Sequence, residues 1–111
     1  MRRFRVLGLL LWLALLGCPK PGQGRKAEKG YATCEPVIAA LERYHQEKGA
    51  WPDSLEALVP DYLAGVPALG EYPLKYQRVG EGYELQFSYT GPGMNRCAYT
   101  PESKWRCSGF F

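Results

Sequence analysis

Four cysteines and one histidine are the side chains of this chain best suited to covalent or acid–base chemistry. Cys97 and Cys107 lie symmetrically about Glu102 in the run MNRCAYTPESKWRCSGF. A three-residue turn, Pro101-Glu102-Ser103, sets Thr100 opposite Lys104, Tyr99 opposite Trp105 and Cys97 opposite Cys107. Opposed residues of an antiparallel ladder come to about 5 Å at Cα, within disulfide reach. Cys97–Cys107 is therefore the expected bridge. Cys34 is expected to stay reduced, as a small residue at the start of a helix. These cysteines lack the CxxC spacing of a zinc site and have a single histidine for company, so no metal is expected. His45 lies within helical reach of Glu42 and Lys48, which suits an acid–base group. No motif places a nucleophile beside it, so it reads as a partly exposed helix histidine. A glycosidase needs two carboxylates facing each other across a cleft, and a domain this small has little room for one. The eight Tyr and three Trp could stack on a glycan. They are expected instead to fill a small β-rich core and pair across strands. Gly80, Gly82, Gly91 and Gly93 mark turns; no helix follows them, so they are not a phosphate loop. No cofactor is expected, and the chain reads as a non-enzyme.

Cys18 stands apart from the other three. Arg2, Arg3 and Arg5 form a positive segment, Val6 to Leu16 is apolar, and Leu15-Leu16-Gly17-Cys18 follows. That is the layout of a secretory signal. The apolar run falls short of the roughly 20 residues of a membrane-spanning helix. Leu15, Gly17 and Cys18 resemble a bacterial lipobox. The resemblance implies that residues 1–17 are removed and that Cys18 receives a diacylglycerol and an acyl chain. More than one chain makes a stable anchor, at about 0.8 kcal/mol per buried methylene. In that family Asp after the Cys favours the inner membrane. Pro19 stands here, so an outer-membrane site facing the periplasm is expected.

The chain carries 14 basic and 11 acidic residues, a formal net charge of +3. Three of the basic residues are the arginines of the signal, so the remainder is balanced and offers no electrostatic footprint for nucleic acid. The 111 residues hold one small domain at most. Residues 18–30, rich in Pro, Gly and Lys, read as a flexible tether, and residues 31–111 as the domain.

The domain is predicted to be α+β. The main helix is expected from Glu35 to Lys48, with Pro36 in its first turn. Val37, Ile38, Leu41, Tyr44, His45 and Lys48 form one face. A start near Ala27, with Pro36 kinking the helix, is the alternative. Gly49 supplies a left-handed cap, and Trp51 can fold back on the last turn. Asp53 to Glu56 has capping-box spacing, which predicts a short helix Ser54 to Val59. Strands are predicted at Leu74 to Val79 and Tyr83 to Thr90, then in the Cys97–Cys107 hairpin. A Glu81-Gly82 loop would pair Arg78 with Leu85, Tyr76 with Phe87 and Leu74 with Tyr89. The apolar partners then share a face, which a slip of one residue would separate. Trp105 and the terminal Phe110 and Phe111 either cap this sheet or form an apolar spot that meets a partner.

The run AALERYHQEKGAWPDSLEALVP, followed by YPLKYQRVGEGYELQFSYTGPG, resembles the globular head of type II secretion pseudopilins and related pilin-like proteins. Gly49, Trp51, Pro52, Leu55 and Leu58 fall in the family's order, and about half of the chain is covered. The resemblance implies a helix packed on a small antiparallel sheet. This chain carries a lipoprotein-like signal where the family has a prepilin-peptidase site and a long apolar helix. The calcium loop of the major pseudopilins has no acidic counterpart in Gly91-Pro92-Gly93-Met94-Asn95, so no calcium site is carried over. Two functions follow as expectations. One is a non-enzymatic, lipid-anchored envelope module that binds a protein partner or an envelope surface. The other is a small envelope hydrolase or inhibitor-like domain acting on peptidoglycan or polysaccharide. A pocket holding His45 and two carboxylates would favour the second.

Overall fold

The computed structural model describes residues 20–110 apart from Glu71 and Pro92, with Phe110 described by its backbone alone. Cys18 and Phe111, named above as lipid acceptor and terminal aromatic, lie outside the described residues. The architecture is α+β. Helix α1, Arg25–Lys48, lies on one face of a four-stranded antiparallel sheet. The strands β1 Lys75–Val79, β2 Gly82–Thr90, β3 Met94–Thr100 and β4 Lys104–Phe110 follow one another in the order β1-β2-β3-β4.

The helix starts ten residues before Glu35, close to the alternative start near Ala27. The sequence 25–34 is polar overall, but Ala27, Gly30 and Cys34 recur at helical spacing and are buried, continuing into Val37, Ala40 and Leu41. These residues are small, so their apolar signal is weak while their fit against a sheet is close. The stretch 25–30 is therefore packed helix rather than tether. Pro36 sits inside the helix. Pro36 and Ala32, whose carbonyl loses its usual donor, both lie on the exposed side, where water can satisfy that oxygen. Of the predicted face, Val37 and Leu41 are buried, Ile38, Tyr44 and His45 half-buried, and Lys48 exposed.

Gly49 ends α1 in the left-handed conformation (φ 74°), its N–H donating to the His45 carbonyl at 2.8 Å. The second helix is one turn of 3-10 helix, Leu55–Leu58, without a side-chain cap. The N-cap position is Ser54 rather than Asp53, and Asp53 instead meets Arg78 at 2.6 Å. Leu55 and Leu58 are both buried in the core.

The β1–β2 hairpin pairs Arg78 with Tyr83 and Tyr76 with Leu85. The register is two residues from the predicted one. Gly80 takes φ 56°, so the two-residue turn is Gly80-Glu81 rather than Glu81-Gly82. A shift of two preserves the faces. Tyr83, Leu85, Phe87 and Tyr89 are buried, as alternation requires. The C-terminal hairpin pairs Thr100 with Lys104, Tyr99 with Trp105 and Cys97 with Cys107. Cys97 and Cys107 are joined by a disulfide, with Cα atoms 4.0 Å apart. Cys34 is free and fully buried.

Candidate functional site

The two ends of α1 are held by different devices. At its C-terminal end, Trp51 folds back. Its ring stacks on His45 at 4.1 Å between centroids and meets Tyr83 edge-on at 4.7 Å. Its Nε1 donates to the Glu81 carbonyl at 2.9 Å, and the Tyr76 hydroxyl donates to the Pro52 carbonyl at 2.6 Å. The Trp-Pro step is thereby tied to the β1–β2 turn. His45 acts here as a flat surface for an indole. It is not among the residues lining the clefts at Lys26 and Lys29, under the 3-10 turn, along β1 and β2, or at Trp105. The carboxylates of Asp53 and Glu56 border a different cleft, under the 3-10 turn. No three His, Cys, Asp or Glu side chains converge among the described residues.

At its N-terminal end, Tyr31 is the hub. Its hydroxyl donates to the Gly22 carbonyl at 2.8 Å and lies 3.2 Å from Cys107 Sγ. Its ring meets Phe87 edge-on at 5.5 Å and Trp105 at 4.9 Å. The Gly22 N–H donates to the Tyr89 hydroxyl at 2.9 Å. Gly22 takes φ 87°, and a Cβ there would come 2.7 Å from Cys107 Sγ. Only glycine lets the chain run this close to the bridge. Burial, helped by neighbouring Tyr89, raises the Tyr31 pKa, so the hydroxyl stays a donor at neutral pH.

Trp105 is half-buried, packed on Tyr31, Phe87 and Tyr99. Together with Tyr31, Ile38 and Tyr99 it lines a shallow groove of about 370 Å³ between α1 and the β3–β4 hairpin, with Glu35 and Ala39 on its rim. The groove is aromatic inside and carries one acid at its edge. It is chemically suited to an apolar anchor with a cationic or hydrogen-bonding neighbour. Of the three residues read from sequence as a partner surface, Trp105 lies in this groove. Phe110 ends β4 opposite Met94, and Phe111 is outside the described residues. Tyr31, Ile38 and Tyr99 were not read from sequence as part of a surface. Tyr31 precedes the main expected helix start at Glu35, and only the alternative start near Ala27 puts it on the helix.

A second feature surrounds the start of α1. Lys20, Arg25, Lys26 and Lys29 are all exposed. Lys26 Nζ donates to the Thr90 carbonyl at 2.5 Å, which brings the first helical turn against the β2–β3 turn. Lys26 and Lys29 border a cleft of about 230 Å³ with Leu69, Tyr72, Ser88 and Tyr89. Among the described residues no helix is long and apolar enough to cross a membrane. No family model matches the chain, and no curated protein or solved structure matches it.

Proposed function

We propose that this is a lipid-anchored, extracytoplasmic envelope protein whose domain is a non-enzymatic binding or structural module. The observation that carries the reading is the Cys97–Cys107 bridge. A structural disulfide in a small domain belongs to an oxidising compartment. The order of arginines, apolar run and Leu-Leu-Gly-Cys in residues 2–18 supplies the route there and the lipid acceptor, Cys18. The outer membrane, facing the periplasm, is the proposed address.

The pseudopilin-head likeness belongs to the same proposal. It is supported by a helix that ends at Gly49, a Trp51-Pro52 step packed on the β1–β2 turn, and a sheet lying under the helix. The binding surface we propose is the groove of Tyr31, Ile38, Tyr99 and Trp105. The partner is an envelope protein that presents an apolar side chain to this groove.

Site-specific photo-crosslinking in intact envelopes tests the reading. A photoreactive residue replaces Ala39, on the groove rim, or Gln77, on the opposite face of the sheet. A discrete adduct from position 39, absent from 77 and lost in Trp105→Ala, is the expected outcome. Equal labelling from both positions would refute the groove as an interface.

A further inference from the structure

We propose that the α1 start is a membrane seat, in which Lys20, Arg25, Lys26 and Lys29 lie on anionic phospholipid headgroups. The proposal rests on the reading of Cys18 as the lipidated residue. Chain length sets the first limit. One residue, Pro19, separates Cys18 from Lys20, a reach of about 7 Å at most. Lys20 is not on a leash. Its carbonyl accepts from the Gln23 N–H at 3.0 Å, and the next residues are pinned on the sheet through Gly22, Tyr31 and Tyr89. Arg25 begins the helix, and Lys29 is about 6 Å further along its axis. An acyl chain on Cys18 therefore brings Lys20 to the headgroup layer, and Arg25, Lys26 and Lys29 follow on the first two turns of the helix.

The charge distribution fits that placement. Residues 20–30 carry four basic side chains against one acid, Glu28. Residues 31–111 carry seven basic against ten acidic. The neutral total conceals a dipole, with its positive end where the lipid would be. An anionic surface attracts that end and repels the rest, so charge selects the same orientation that chain length permits. The cleft between Lys26, Lys29, Ser88 and Tyr72 opens at this end and offers two ammonium groups and a hydroxyl to one lipid phosphate. The groove at Trp105 lies further along the helix, flanked by Glu35 and Ala39. A seated domain would therefore hold that groove at a set height above the bilayer.

The test is lysine reductive methylation of the full acylated protein, reconstituted in phosphatidylglycerol or phosphatidylcholine vesicles and read residue by residue by mass spectrometry. Lys20, Lys26 and Lys29 should be protected severalfold on phosphatidylglycerol relative to phosphatidylcholine, while Lys75 and Lys104 react equally on both. High salt should abolish the difference. Arg25→Gln with Lys29→Gln, which leaves Lys20 and Lys26 as reporters, should weaken the seat by about fivefold per cation. The wild-type salt and lipid comparison stands even if that variant folds poorly. Equal methylation on both lipids by a protein whose Cys18 mass shows acylation would overturn the seat and leave the anchor standing. An unmodified Cys18 would overturn both.

Discussion

Replacing Gly30 with Ala separates two accounts of residues 25–30. If that stretch were solvent-exposed helix, Ala would stabilise it by about 1 kcal/mol relative to Gly. In the structure Gly30 is buried and faces Phe87. A Cβ there would lie 2.5 Å from Phe87 Cδ2 and Cε1, and closer still to Cε2. Ordinary carbon contacts are about 3.5–4.0 Å, so the overlap is roughly 1 Å. The ring has no easy retreat. It is 1% exposed and is boxed by Tyr31, Tyr89 and Trp105 at centroid distances of 5.5, 6.1 and 5.2 Å. Overpacking of this kind costs about 1–3 kcal/mol. The upper end applies, and the propensity gain offsets about one of it, leaving a net loss of about 2 kcal/mol. For a domain of this size that is a fall in Tm of about 8–16 °C. Thermal unfolding followed by circular dichroism measures it. Trimming the ring should relieve the clash, so Gly30→Ala with Phe87→Leu should show a favourable coupling of about 1–2 kcal/mol. A rise in Tm for Gly30→Ala, or strict additivity in the double variant, would refute the packing of α1 described here.

Other perturbations follow from the same contacts. Cys107→Ser should cost about 2–3 kcal/mol by the loop-entropy model, and non-reducing peptide maps should show Cys97–Cys107 with Cys34 free. Cys34 should resist alkylation in the native state, because it is fully buried and burial pushes its pKa up to about 12; rapid labelling would contradict that. Tyr83→Phe should be neutral or stabilising in chemical denaturation, since the Tyr83 hydroxyl is buried with no hydrogen-bond partner. Burial raises the pKa of Tyr76 to about 12 and of Tyr83 further, so both keep their protons in the fold at a pH where the unfolded chain releases them. Their contribution is whole below about pH 10 and is lost as pH rises towards 12, and Tyr83→Phe should flatten that alkaline decline in Tm. Asp53→Asn should shift stability by less than about 1 kcal/mol despite the 2.6 Å contact with Arg78, because both side chains are largely exposed.

The C-terminal hairpin was legible because three independent constraints agreed: the Pro101-Glu102-Ser103 turn, the Cys97–Cys107 symmetry and the aromatic pair Tyr99–Trp105. The alternation in β2 was legible for the same reason, with four large apolar residues spaced by two. The β1–β2 register was read two residues off because Gly80 and Gly82 are both plausible turn residues, and apolar parity is blind to an even shift. The start of α1 was read late because its buried stripe is Ala27, Gly30 and Cys34. Small residues carry little hydrophobic signal, yet they are what a close helix–sheet approach needs. The groove at Trp105 was only partly legible, since Tyr31 reaches it from the first residue of the expected domain, before the main expected start of α1. The capping box did not form: the one-turn helix starts after Ser54 with no side-chain cap, while Asp53 meets Arg78.

Intact mass spectrometry of the native protein extracted from envelope membranes tests the central claim most directly. The expected chain begins at Cys18, carries a diacylglyceryl group on its thiol and retains the Cys97–Cys107 bridge. A membrane-extracted chain with an unmodified Cys18, or one cleaved elsewhere, would contradict it.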